Sequence, residues 1–179
     1  MTQFTFNVEN PSQQFIQISV QFNTPNAETF VQLPSWRPGR YELADFAKFV
    51  RNFTVIDLDG KKLDFIKVTK DRWKVDSASA DEIIVNYSFY ADTINAGSSF
   101  LDETQLYVNP VNCCVFTDET YEEKVNVKLN IPPHWDVATS MLSNDSGWEC
   151  DNMDELLDSP FIASSQLQCN TYISNDTKF

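Results

Sequence analysis

Only four glycines, four cysteines and one histidine occur in these 179 residues, and 13 Lys+Arg face 26 Asp+Glu. Each shortage excludes something. So few glycines leave little scope for the glycine-rich loops that cradle phosphates, or for collagen-like and linker composition. The net charge of −13 repels phosphate backbones and anionic lipid heads alike, which disfavours nucleic acid and membrane surfaces as partners. The longest apolar runs, such as Ile83-Ile84-Val85, fall far short of the ~20 residues a membrane helix needs. Met1-Thr2-Gln3-Phe4-Thr5-Phe6-Asn7 has neither a basic nor an apolar signal region, so no secretion signal is expected there.

The lone His134 stands between Pro133 and Trp135. A catalytic zinc takes three protein ligands, commonly with HExxH on a helix so that both imidazoles share one face. His134-Trp135-Asp136-Val137-Ala138 is not that motif. Ser-His-Asp and Cys-His arrangements would need the same histidine, and no GxSxG elbow is present. Cys113 and Cys114 are adjacent while Cys150 and Cys169 stand alone, which is no zinc-knuckle spacing. They read as buried, reduced thiols acting as small hydrophobes, and with them the expected location is cytoplasmic. Acidic neighbours such as Asp118-Glu119 and Glu122-Glu123 read as solvated faces. No catalytic residue and no metal ligand is assigned within this chain.

What is abundant is aromatic and apolar. With 42% hydrophobic residues, and 14 Phe, 6 Tyr and 4 Trp, the chain can bury a core within a single domain. Apolar residues alternate with polar ones at Phe4-Phe6-Val8, Ile16-Ile18-Val20-Phe22, Ile83-Val85-Tyr87-Phe89 and Val125-Val127-Leu129-Ile131. That period of two marks strands with one face on a core. Asp59-Gly60, between Phe53–Leu58 and Leu63–Ile66, predicts a tight hairpin. Phe161 to Ile173 adds further strand. The expected fold is all-β, about nine or ten short strands in an antiparallel sandwich or saddle-like curved sheet, with one or two short helices. One helix is placed on the stripe Leu43, Phe46, Ala47, Val50, and the other on Met153, Leu156 and Leu157, capped by Asp151 or Asn152 and stopped before Pro160.

Four segments carry a family resemblance. Leu33-Pro34-Ser35-Trp36-Arg37-Pro38-Gly39-Arg40-Tyr41, followed by Asp45-Phe46-Ala47-Lys48-Phe49-Val50, resembles an "LPxWxPGxY … DFAxxV" signature, with Arg40 where a serine is common. Asp102-Glu103-Thr104-Gln105-Leu106-Tyr107-Val108-Asn109 resembles "DxThx(F/Y)xN", although Pro110-Val111 replaces the usual Gly-Thr. Pro132 to Thr139 is similar to "PxxWxvAT", and Asp154-Glu155-Leu156-Leu157-Asp158-Ser159-Pro160 to "DELvDSP". In order, these resemble the N-terminal domain of the glycyl aminopeptidases, zinc metallopeptidases that often bear a PDZ domain. The resemblance implies a saddle-like β domain over 1–158, and a strand over 159–179 leading into a catalytic domain that carries HExxH and zinc. This chain alone would then hold no cofactor and be inactive. Its partners would be its own catalytic domain and the peptide substrate, with small N-terminal residues such as Gly or Ala preferred.

Under that resemblance Trp36, Arg40, Tyr41, Asp45, Asp102 and Asn109 are candidates for the wall of the substrate cleft. Arg40 or Tyr41 would meet the peptide backbone, and Asp45 or Asp102 the substrate's amine. The competing structural readings are a Pro-Gly turn with Trp36 plugging the core, a helix N-terminal carboxylate at Asp45, a turn aspartate at Asp102, and a turn initiator at Asn109. Leu156, Leu157 and Pro160 read as a packing hinge. The rival function is a stand-alone carbohydrate- or peptide-binding sandwich, with Trp36, Tyr41 and Trp135 as stacking residues.

Overall fold

In the computed structural model, which describes every residue except Pro25, Tyr41, Asp176 and Phe179 and the side chain of Lys178, strands dominate. In chain order they are β1 (Thr2–Asn7), β2 (Phe15–Asn23), β3 (Glu28–Gln32), β4 (Val50–Asp57), β5 (Phe65–Thr69), β6 (Arg72–Asp76), β7 (Glu82–Tyr90), β8 (Phe100–Leu101), β9 (Gln105–Val108), β10 (Val125–Asn130), β11 (Asp136–Thr139), β12 (Leu142–Asn144) and β13 (Gly147–Cys150). A single short helix, α1 (Met153–Leu157), precedes β14 (Phe161–Ser164), β15 (Ile173–Ser174) and β16 (Thr177–Lys178).

Seven strands form the main sheet in the order β12-β13-β10-β1-β2-β7-β4. Every ladder in it is antiparallel except β1 with β10, which run parallel from Thr2 opposite Val125 to Asn7 opposite Asn130. A four-stranded sheet, β11-β14-β9-β8, and a three-stranded sheet, β3-β6-β5, accompany it, with β15-β16 as a separate hairpin. Among the described residues no sheet closes into a barrel. The all-β expectation holds, and no helix among the described residues is long and apolar enough to cross a membrane.

The alternation read from sequence decides which face is buried. Phe4 and Phe6 of β1, Ile16, Ile18, Val20 and Phe22 of β2, and Ile83, Val85 and Phe89 of β7 point inward and are buried. Phe6 meets Phe161 of β14 edge-on at 5.2 Å, tying the main sheet to the four-stranded one. On the other flank Phe53 stacks on Trp73 of β6 at 4.4 Å and lies 6.1 Å from Tyr87 of β7. One hydrophobic cluster therefore serves all three larger sheets.

Two local expectations need correction. The stripe Leu43, Phe46, Ala47, Val50 does not make a two-turn helix: only Phe46–Phe49 winds, as a 3-10 turn, and Val50 already begins β4. Phe46, Ala47 and Val50 do pack on the core, but Leu43 is 77% exposed, so one turn of apolar contact is all that burial supports, too little to sustain a helix. The Asp59-Gly60 turn does form, with Gly60 at φ +81° and its amide donating to the Asp57 carbonyl. Its return arm pairs with β4 over Lys61–Leu63 alone, the Asp57 amide donating to the Lys61 carbonyl and the Leu63 amide to the Val55 carbonyl, and Phe65–Thr69 then leaves to join β6.

The helix at Met153–Leu157 is as expected, and its cap is resolved between the two candidates. Asn152 Oδ1 accepts from the Glu155 amide at 3.0 Å, while the Glu155 carboxylate accepts from the Asp151 amide at 2.6 Å, a near relative of the capping box. Cys113, Cys114 and Cys150 are buried thiols, whereas Cys169 is exposed. Burial, followed by the charges of Glu155, Asp151 and Glu149, pushes the Cys150 thiol up to about 12, so it stays protonated and inert as a nucleophile.

Candidate functional site

Leu33 ends the ordered entry to an irregular loop: its amide donates to the Asp71 carbonyl, and its side chain is fully buried. From there the loop turns outward. The Ala44 amide donates to the Ser35 carbonyl at 2.7 Å, closing the loop on itself. Trp36 does not plug the core. It is 50% exposed, and its indole N–H donates to the Arg40 carbonyl at 2.8 Å, which fixes the ring at the surface with its polar handle satisfied.

The exposed indole overlooks a groove of ≈ 680 Å³ that gathers distant pieces of sequence. Pro34 to Pro38 form one wall, Asn109 and Val111 a second, and Asp154, Leu157 and Asp158 the third, with Phe116 and Tyr121 between. The third wall follows from helical spacing, since positions i, i+3 and i+4 share one face. Tyr121 donates its hydroxyl to Asp154 Oδ1 at 2.6 Å and packs edge-on against Phe116 at 5.0 Å. Partial burial first, then the bond to Asp154 and the charges of Asp154 and Glu122, raise the Tyr121 phenol to about 12. It therefore stays a neutral donor at any ordinary pH.

Arg37 lines this groove and also a neighbouring one of ≈ 370 Å³ that holds Arg40, Asp45, Phe46 and Lys48. Gly97 permits that position: a Cβ there would stand 2.1 Å from the Arg37 guanidinium. Asn112 Nδ2 donates to the Gly97 carbonyl at 3.0 Å, and Asn109 is anchored through its amide on Ser99 Oγ at 3.1 Å.

The six candidates are thus divided. Trp36 and Asn109 share the larger groove, while Arg40 and Asp45 line the neighbouring one. Arg40 pairs with Glu42 at 3.4 Å, and Asp45 lies 3.8 Å from Lys70 and makes no capping hydrogen bond to the turn that follows it. Tyr41 lies outside the described residues. Asp102 lines neither groove: its Oδ1 accepts from the Thr104 amide and hydroxyl, both at 2.7 Å, and from the Gln105 amide at 2.9 Å. Slight burial pushes its carboxyl up, but these bonds outweigh that and hold it below its ordinary value, as a turn aspartate should be. Trp135, the other aromatic of the rival reading, is only 6% exposed and offers no stacking platform.

Tyr121, Asp154 and Asp158, which also line this groove, are not among the candidates. The two aspartates lie in the Asp154–Pro160 segment that carries one of the four resemblances, of which only Leu156, Leu157 and Pro160 are given a role from sequence. Among the described residues no group of three or more His, Cys, Asp or Glu could hold a metal ion. His134 is exposed, its ring 6.4 Å from that of Trp135. The side chains here do not fit a zinc ion.

The model of the peptidase M61 N-terminal domain matches residues 3–165, and the chain belongs to that family. Among solved structures it is similar to an aminopeptidase N family protein from Idiomarina loihiensis, at 25% identity and a TM-score of 0.89, over 99% of this chain and 31% of that one. The M1 zinc metallopeptidase of Deinococcus radiodurans shares the fold at 11% identity and a TM-score of 0.50, over 91% of this chain and 41% of that one. The chain thus spans well under half the length of either. No curated protein sequence matches it.

Proposed function

We propose that this chain is the non-catalytic N-terminal domain of a zinc-dependent aminopeptidase, that it packs on the catalytic domain beside the Trp36 groove, and that it supplies one wall of the substrate cleft. One observation carries this reading. Three segments that resemble the family's motifs, 33–41, 102–109 and 154–160, lie far apart in sequence, yet each contributes side chains to the same groove. Trp36 is half exposed there, which the core of this domain alone does not require.

On this reading the zinc, its HExxH helix and any PDZ domain lie in sequence that follows residue 179, and residues 159–179 lead towards it. Zinc would polarise the scissile carbonyl in that other domain. The part of this chain is to shape and orient: Asp154 and Asp158 place negative charge at the groove, which suits a peptide's amine, and the Trp36 ring gives that peptide an apolar surface. A small first residue such as Gly or Ala is the proposed preference, and the cytoplasm the proposed location.

The test has two parts. The coding sequence beyond codon 179 is expected to reach HExxH. The whole protein is expected to hydrolyse Gly- and Ala-anilides while the 1–179 chain does not. Zinc-dependent turnover by the 1–179 chain itself would overturn the assignment.

A further inference from the structure

The main sheet has a second face, turned away from the core, and its chemistry is unusual for a chain in which 22% of residues are charged. On three adjacent strands the outward positions are Gln3, Thr5 and Asn7 on β1, Phe15, Gln17, Ser19, Gln21 and Asn23 on β2, and Glu82, Ile84, Asn86, Ser88 and Tyr90 on β7. Among them only Glu82 is charged, and charge lies at the margins, with Lys128 opposite Thr5, Arg51 opposite Ser88, and Glu9 at the rim. A solvated sheet face ordinarily mixes both signs of charge, which keep it soluble and unpaired. Here neutral amides and hydroxyls stand in rows set by the register: Thr5 opposite Ser19 opposite Asn86, and Asn7 opposite Gln17 opposite Ser88. Neighbouring strands lie about 4.8 Å apart, so the rows offer evenly spaced polar groups across three strands.

Part of this set is already paired. Ser88 donates to Gln17 Oε1 at 2.6 Å, and Asn130 Nδ2 donates to Asn7 Oδ1 at 2.6 Å. The side chains of Thr5, Ser19 and Asn86 make no hydrogen bond with the other described residues. Around them Asn7, Glu9, Gln17, Ser19, Asn52, Asn86 and Ser88 line a depression of ≈ 310 Å³. Asn52 is brought there by an irregularity: the β4–β7 ladder shifts register between Arg51 and Thr54, and Asn52 sits at φ +55°, with Nδ2 3.4 Å from Ser88 Oγ. A bulge of this kind re-aims a side chain. At the end of the face Phe15 and Tyr90 stand opposite each other, rings 4.9 Å apart.

We propose that this face is a binding site for a neutral, hydroxyl-rich ligand, an uncharged oligosaccharide. Amide and hydroxyl side chains each carry donor and acceptor capacity, which matches sugar hydroxyls and gives no advantage to a phosphate or a carboxylate. The Phe15–Tyr90 pair supplies the apolar surface on which the C–H face of a sugar ring packs. A polypeptide adding to a sheet would use an edge strand, whereas β2 and β7 lie in the interior of this one. The site shares no lining residue with the Trp36 groove and does not depend on the peptidase reading.

The test titrates the isotopically labelled 1–179 chain with three neutral hexasaccharides: a β-1,4-glucan, an α-1,4-glucan and a β-1,4-linked N-acetylglucosamine oligomer. At least one is expected to give saturable amide shifts confined to β1, β2, β7 and Asn52, with a Kd below about 1 mM. Ser19→Glu, which adds a charge at the centre of the face, is expected to weaken that Kd at least tenfold with an unchanged melting temperature. Should that variant fold poorly, the Gln17→Ala, Asn86→Ala double variant is expected to lose the same tenfold. Absence of saturable shifts with all three sugars, shifts mapping to the Trp36 groove instead, or full binding by a folded variant would overturn the proposal.

Discussion

The inward face of the main sheet and the Trp36 loop are built by opposite rules. Along β1, β2 and β7 every second side chain is buried, and the backbone hydrogen bonds run in regular ladders. Among the described residues between Pro34 and Asp45 the backbone is irregular, the bonds are isolated turns, and a tryptophan stands half in solvent. In the first region a residue's type is explained by the core it fills. In the second it is not, and side chains that burial does not explain are where function is sought.

Substitutions sharpen that contrast. The largest loss is expected at Phe161→Ala, which removes a fully buried ring from between two sheets: about 3–5 kcal/mol of stability, read as a drop in urea midpoint. Trp36→Ala should do the reverse. Its effect on the urea midpoint of the 1–179 chain should stay within the ±0.5 kcal/mol of a surface change, while kcat/KM of the whole enzyme on Ala-anilide falls roughly tenfold, about 1.4 kcal/mol of transition-state binding. Equal effects of the two variants on stability would erase the distinction between the regions.

Asn152→Ala falls between them, because the cap both holds α1 and presents Asp154 and Asp158 to the groove. A cost of about 1 kcal/mol is expected, measured by thermal unfolding. The smallest effect concerns pH. Asp102 is held below its ordinary pKa by Thr104 and Gln105, so its contribution is present above the unfolded carboxyl value near 3.9 and is lost as pH falls through the lower, folded one. The stability gap between the chain and its Asp102→Asn variant should therefore be open at pH 7 and close on acidification below pH 4. A gap that widens in acid would contradict the turn assignment.

The strands were legible because burial on one face enforces a period of two, and no residue of β1 or β2 can slip without exposing phenylalanine. The false helix at Leu43–Val50 arose because four apolar residues met a helical spacing by coincidence. Spacing does not report that Leu43 is exposed while Phe46, Ala47 and Val50 pack on the core. Strands of two to four residues, such as β8 and β12, are too short to show a period at all, and the parallel β1–β10 pairing is a long-range choice that neither strand's own pattern encodes.

At the groove, Trp36 and Asn109 were legible through their motif segments. Asp102 belonged to such a segment but spends its carboxylate on its own turn. Asp154 and Asp158 were hidden for a physical reason. Their neighbours Leu156 and Met153 are buried, and that apolar face accounts for the helical pattern without reference to the charges that α1 turns to the groove. Tyr121 lies in no motif, and only tertiary structure brings it to Asp154.

Amide hydrogen exchange offers the most direct check on the central claim that the Trp36 groove meets the catalytic domain and its substrate. Exchange at residues 35–37, 109–112 and 154–158 would be compared between the 1–179 chain and the longer protein, with the outward face of β1, β2 and β7 as internal reference. The account requires at least tenfold slower exchange at those three segments in the longer protein and unchanged exchange on the reference face. Identical rates at all three segments in the two proteins would contradict it.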